Sequence, residues 1–470
     1  MSRLACLSLL LLLGWAAGQR LRNDLDGDCV PAVPQDAKDL SFFPDGFKLE
    51  GEDGKPAVDV EIAEDFKVEY GPNFKVVTNL RADETYVLYQ CGTNPPEKSL
   101  FPGKAKMFEI PLTSVSVADT TFIGFMELLE VEDRTSFASS FASSPCFQKL
   151  ASDECGKVAG DPGSQFANQE AVNAQDGKVD AIISTSASSS PNTIAFTATA
   201  DPSVLKRAEW IKFVSLFFNK EVKANQVYDG AKQIWNRLKS SDNGGGPVIA
   251  WIGFQDFNGP EIFLHFADYK VEYVQAAGGR TLDRGALKKD GAWKEVKNGF
   301  TSTSLGAGRK SLAKLFKDVD VVIDETFTPN NAKYTLDTFK SNFAIEDDVS
   351  HPFLENKKVF RVDGRVSPGA FGDGLEWFEL PVARPDQVLK DFLQAAGSDK
   401  AKDHTRVWLR NIALEESVTV VTSQACGGRV KNCAFEPKVI CPSVVATCDD
   451  SLEFRSPTDT GCPAPRCSKN

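Results

Sequence analysis

Apolar and polar positions along the chain follow two alternating periods. Runs rich in β-branched and aromatic residues at Phe74–Thr78 (FKVVT), Tyr86–Gln90 (YVLYQ), Met107–Val117 (MFEIPLTSVSV) and Ala181–Ser184 (AIIS) predict strands. Between them, residues 125–133 (FMELLEVED) carry helical spacing. From Pro202 to Leu238 the residues Leu205, Ala208, Ile211, Val214, Phe217, Val227, Ala231 and Ile234 recur at helical intervals. Asp201-Pro202 suits a helix start. At about 1.5 Å per residue the stripe predicts up to ~50 Å of helix with at most one break. A glycine-rich linker, SDNGGGP (241–247), follows, and the strand–helix rhythm then repeats. Its elements are a strand at Val248–Phe254, a helix running into a strand at Lys314–Glu325, a strand at Val359–Val362 and a helix at Pro385–Ala395.

This alternation predicts an α/β fold of two Rossmann-like lobes, each with its own core, joined by a long helix. The expected N-terminal lobe covers 41–200, the linking helix 201–240 and the C-terminal lobe 241–397. Residues 398–425 form an extension with one or two strands (RVWL, VTVV), and 426–470 a Cys-rich C-terminal tail.

The first residues, MSRLACLSLLLLLGWAAGQ, read as a signal peptide (1–18) cleaved before Gln19, followed by a polar leader (19–40). Later segments fall short of the ~20 apolar residues of a spanning helix. The expected location is therefore secreted or cell-surface. Of eleven cysteines, Cys6 leaves with the signal, and the ten that remain are an even number. Cys29, Cys91, Cys146 and Cys155 lie in the first half. The density of Cys426, Cys433, Cys441, Cys448, Cys462 and Cys467 predicts bridges among themselves.

Charge and motif content narrow the function classes. A net charge of −12 disfavours nucleic acid. The three histidines, His265, His351 and His404, are scattered without metal-ligand spacing, so no metal site is expected. SLGAGRKSL (304–312) imitates a phosphate-binding loop, but Arg309 separates Gly308 from Lys310. Neither a nucleophile elbow nor a paired acid/base spacing stands out, so no catalytic residue is assigned and the chain is not read as an enzyme.

Binding sites of open α/β sheets lie beyond the carboxyl ends of their strands. That rule selects VADTT (117–121) with Thr120 and Thr121, STSASSSPN (184–192), GFQDFNG (253–259), DETFTPN (324–330) and DGRVSPGAFGDGLEWFE (363–379). Trp251, Phe254, Phe257, Phe371, Trp377 and Phe378 cluster at these ends, with Glu376 and Glu379 beside them. So many aromatics suit the face of a large, partly apolar ligand.

Several stretches, in order, resemble the class III solute-binding proteins, the siderophore-, haem- and cobalamin-binding proteins of bacterial ABC importers. They are FKVEYGPNFKVVTN, YVLYQCGTNPP, FMELLEVEDR, NQEAVNAQDGKVDAIIS, RAEWIKFVSLFFNKE, LAKLFKDVDVVID and ARPDQVLKDFL, spanning about residues 60–395. The secretory, disulfide-rich setting is similar to eukaryotic members, the algal cobalamin acquisition type. The resemblance implies capture of a large ligand between the lobes, with Trp251 in AWIGF and Trp377 in LEWFE at the cleft. Cobalamin, bulky and neutral or weakly cationic, fits an acidic protein best; a ferric siderophore or haem is the alternative. No tightly held cofactor is implied. The implied partner is a membrane transporter or receptor, docked through Glu170 in NQE. The matching position of the second lobe carries Arg309 and Lys310, a charge reversal that argues against a standard bacterial permease. An extracellular α/β hydrolase and a structural surface protein are the readings from other classes. A cleft closed by packing would favour the latter.

Overall fold

In the computed structural model the described residues run from 58 to 435, with two further strands at 444–446 and 452–454. They leave out 59, 72–73, 92–93, 140, 153–154, 156–174, 176, 242–244, 258, 347, 370–371 and 432. The signal and leader, Cys29, Glu170, Phe371, Cys441, Cys448, Cys462 and Cys467 thus lie outside the described residues.

The N-terminal lobe holds two sheets. Strands β1 (Phe66–Tyr70), β2 (Phe74–Asn79), β3 (Glu84–Gln90) and β4 (Lys106–Ile110) pair in sequence order, β3 and β4 in parallel. β5 (Val115–Val117), β6 (Thr135–Ala138), β7 (Ala181–Ser184) and β8 (Thr193–Ala195) form a parallel sheet in the order β6-β5-β7-β8. The expected single strand Met107–Val117 is therefore two strands in two sheets. Pro111 has no amide hydrogen to continue the ladder, and Leu112 turns aside to donate to the carbonyl of Phe217. Helix α1 (Thr120–Leu129) follows β5, capped by the Asp119 side chain, and α2 (Pro145–Ala151) follows β6.

The long apolar stripe folds as α3 (Val204–Leu216) and α4 (Glu221–Leu238), separated by a short turn. Asn219 takes a positive φ in that turn. The buried ammonium of Lys75 anchors the turn from β2, donating to the Leu216 carbonyl and the Asn219 side chain.

The main sheet of the C-terminal lobe is mixed, built from β9 (Ile249–Gln255), β10 (Glu261–His265), β11 (Trp293–Val296), β12 (Gly299–Ser302), β13 (Val321–Asp324), β14 (Val359–Arg361) and a late strand, Arg410–Asn411; a small separate sheet joins Arg365–Ser367, Gly374–Leu375 and Thr419–Val420. At its centre β9, β13 and β14 run parallel. Strand residues alternate between faces. Ile249, Trp251, Val321, Ile323, Phe360 and Val362 point inward, toward α3, α4, α5 (Asp268–Ala276) and the closing helix Pro385–Ala396. Val248, Ala250, Ile252, Val322 and Val359 point outward, toward Leu312, Phe339 and Phe343. Burial on both faces explains the unbroken apolar run of VIAWIGF.

No described sheet crosses between the lobes, yet their cores are not separate. One apolar cluster runs from Phe66, Phe108 and Phe122 through Trp210 and Phe213 to Trp251, Trp377 and Trp408. The outer layer of the second lobe has a core of its own.

The expected pairing within the tail is also corrected. Cys426 bridges Cys146, and Cys433 bridges Cys155. The extension returns from the second lobe to the first, where Cys426 meets α2. This juxtaposition depends on chain topology, which cysteine spacing does not encode. Cys91 is disulfide-bonded as well.

Candidate functional site

The two lobes meet through loops at the carboxyl ends of their strands. A Cβ added at Gly124 on α1 would lie 2.7 Å from the backbone at Glu379 and Leu380, and one at Gly374 2.3 Å from the Phe141 carbonyl oxygen. Only glycine permits either approach. The Ser143 amide donates to Glu379 at 2.7 Å across the same junction. On this side the lobes are closed against each other by packing, which favours a structural surface protein over a ligand cleft between the lobes at this junction.

Trp251 and Trp377 come together, ring centroids 6.0 Å apart, but they are 3% and 5% exposed. Trp251 also packs on Phe392 at 5.4 Å, and Lys270 lies 4.6 Å above its ring. Its indole N–H donates to Glu325, which pairs with Lys270 at the inner end of α5. Burial pushes the Glu325 carboxyl up, but the charges of Lys270 and His265 bring it below its ordinary value. Burial, reinforced by Lys270, lowers His265 to about 4.

The carboxylates beside Trp377 are also engaged. Glu376 accepts from the Trp408 indole at 2.7 Å and pairs with Arg365 at 2.6 Å. Burial raises Glu379 well above its ordinary value; its bond to Ser143 opposes that rise, and Glu376 and Glu127 add to it. Phe254 is half-buried and meets Phe343 in the outer layer. Thr121 is buried in the first turn of α1, whereas Thr120 is half-buried at its start.

Exposed aromatic surface lies elsewhere on the same strand ends. Phe257, after β9, and Phe327, after β13, are 72% and 55% exposed, with ring centroids 5.7 Å apart. Phe378 is 45% exposed. Phe327 stands on a rigid footing. Its neighbour Thr326 donates to Asp324 and accepts from the Phe254 amide at 3.0 Å. Buried Arg361 reaches Asp324 at 2.9 Å, the Thr326 carbonyl at 2.9 Å and Asn331 at 3.2 Å, with its guanidinium 3.7 Å from the Tyr334 ring centroid. Asp373 then ties the next loop to this one through the Asn331 amide and the Pro329 carbonyl. The place of 324–330 after a strand marks the segment but not Phe327 within it. Nothing in the residue string marks it as exposed.

Among the described residues no group of three or more His, Cys, Asp or Glu could hold a metal ion. No helix among them is long and apolar enough to cross a membrane. Arg309, at the proposed second docking position, donates to the carbonyls of Ser341 and Asn342 at a helix end.

No family model matches the chain, and no curated protein is significantly similar to it. Solved structures are similar in part. A petrobactin-binding protein from Bacillus subtilis is 15% identical over 61% of this chain and 93% of its own, with a TM-score of 0.45. A periplasmic heme-binding protein from Pseudomonas aeruginosa is 12% identical over 66% of this chain and 99% of its own, with a TM-score of 0.42. A possible iron-binding, periplasmic solute-binding protein from Staphylococcus epidermidis is 14% identical over 61% and 98%, with a TM-score of 0.41.

Proposed function

We propose that this chain is a secreted or cell-surface solute-binding protein that captures a large, partly apolar ligand, cobalamin first among the candidates, at the carboxyl ends of its strands. The observation that carries the reading is the exposed pair Phe257–Phe327 on a footing fixed by buried Arg361. Holding two large apolar rings side by side in water forgoes the gain of burying them, and such patches serve binding. Phe378, exposed, and Thr120, half-buried, are the further contacts proposed for the ligand. Trp251, Trp377, Glu376 and Glu379 are buried and therefore not part of that exposed face.

The ligand is released to a membrane partner. Arg309 caps a helix end with its positive charge, which suits an acidic docking surface better than a basic one, so that partner differs from a standard bacterial permease. Glu170 is the docking position proposed for the first lobe.

A thermal-shift comparison of purified protein with cobalamins, ferric siderophores and haem tests the reading. A ligand that binds only the native state raises apparent stability by RT ln(1 + [L]/Kd), about 2.7 kcal/mol at a hundredfold excess over Kd. A cobalamin-specific rise supports the full reading. A rise with a siderophore or haem alone keeps the binding surface and replaces the ligand. No rise with any of them contradicts the proposal.

A further inference from the structure

We propose that residues 419–433 are a covalent strap across the two lobes, so that the disulfide state of Cys146–Cys426 and Cys155–Cys433 governs how fast ligand enters and leaves the site. The second clause rests on the solute-binding reading; the first does not.

The strap is anchored at both ends. On the second lobe, Thr419–Val420 pairs in parallel with Arg365–Ser367, and the Val421 amide donates to the Val366 carbonyl at 2.7 Å. Arg365–Ser367 leads directly into the loop that Asp373 ties to Pro329, two residues from Phe327. On the first lobe, Cys426 is bonded to Cys146 of α2 and Cys433 to Cys155 just beyond it. Gln148 of α2 bridges the two anchors, donating to Ser367 Oγ at 2.9 Å and to the Val421 carbonyl at 3.3 Å.

Between the bridges, buried Arg429 enters the first lobe and meets Glu132 at 3.1 Å and Glu127 at 3.8 Å. A guanidinium leaving that position would take the hydrogen-bond partner from buried Glu132, so the strap is held by buried polar contact as well as by covalent bonds. Motion of one lobe against the other must stretch this segment or break its sulfur bonds. Without the bridges the described contacts on that side are noncovalent: the junction at Gly124, Gly374 and Ser143, the Gln148 bonds and the Arg429 contacts.

Opening each bridge is a two-electron reduction. A dithiol attacks one sulfur, the S–S bond breaks, and a mixed disulfide forms. The second thiol of the reductant then displaces the protein thiol and leaves as a cyclic disulfide, and the two protein sulfurs end as thiols with two protons.

The test places spin labels on noncanonical keto residues at Lys98 and Lys294, both exposed and in opposite lobes. Interlobe distances are read by pulsed electron resonance in the unmodified protein and in the Cys426→Ser/Cys433→Ser variant, without ligand. The account expects one narrow distance in the former and a broadened, shifted distribution in the latter. Treatment of prefolded protein with dithiothreitol, with bridge loss verified by mass, should reproduce the shift, which covers the case of a variant that does not fold. Identical narrow distributions in every arm overturn the strap. Ligand release measured by stopped flow should quicken at least about tenfold in the opened protein, since affinity differences of this kind reside mostly in dissociation. A shifted distance with no ligand bound by either form leaves the strap standing and removes the solute-binding reading.

Discussion

The backbone amide of Ser143 donates a 2.7 Å hydrogen bond to the carboxyl group of Glu379, and the two residues belong to opposite lobes. Burial holds Glu379 well above the ordinary carboxyl range, and Glu376 and Glu127 nearby push the same way. Its surroundings thus disfavour the charged form. Glu379→Gln keeps an acceptor for Ser143 without charge and should change unfolding free energy by less than about 1 kcal/mol. Glu379→Ala leaves the amide unsatisfied and should cost about 1–3 kcal/mol. Urea denaturation of both variants checks this, and equal loss in the two would contradict it.

The Arg429 cluster makes stability depend on pH. Burial raises Glu132 to about 8, with Arg429 opposing and Glu127 reinforcing the rise. Between pH 4.5 and 8 the folded protein then holds a proton that the unfolded chain has lost. Stability from this site is thus complete below about 4.5 and falls as pH rises toward 8. Glu132→Gln should flatten that slope in denaturation midpoints measured across the interval. An unchanged slope would show that Glu132 is charged throughout.

The two bridges run in parallel, with sequence separations of 280 and 278. Either one alone closes the long loop. Removing one therefore opens only the ring made by residues 146–155 and 426–433. In the chain-entropy account a ring of roughly that size is worth about 3 kcal/mol, whereas the long loop is worth about 5. Cys426→Ser and Cys433→Ser should each cost about 3 kcal/mol and the double variant about 8, more than the singles added. Strict additivity in guanidinium unfolding would count against the parallel arrangement.

Trp377 is packed against Trp251, which also packs on Phe392 and Tyr269. Truncation of Trp377 should behave as a core deletion, with Trp377→Ala losing about 3–5 kcal/mol. Denaturation midpoints measure this. A variant that keeps its stability and loses only ligand affinity would return Trp377 to the ligand face.

Local chemistry made much of this fold legible and long-range contact hid the rest. The period of VIAWIGF and VFRV identifies strands because both faces are covered. Pro111 shows in the string, but not that it divides two sheets. The apolar stripe from Leu205 to Ile234 reads as one helix because the turn at Asn219 interrupts it only briefly. Position at a strand's end pointed to both Trp251 and Phe257, yet one is core and the other open to solvent. That difference is set by the closing helix and by the approach of α1, hundreds of residues apart in the chain. The pairing of Cys426 with Cys146 is long-range in the same way.

The central claim is that the exposed rings, not the buried ones, hold the ligand. Isothermal titration of the parent protein and of Phe257→Ser/Phe327→Ser with the ligand found by thermal shift tests it most directly. Both side chains are largely exposed, so the double variant should fold with unchanged stability. If aromatic anchors carry ~2 kcal/mol or more, as at protein interfaces, affinity should fall at least about tenfold, one decade being 1.4 kcal/mol. A double variant that binds the ligand as tightly as the parent would contradict the account.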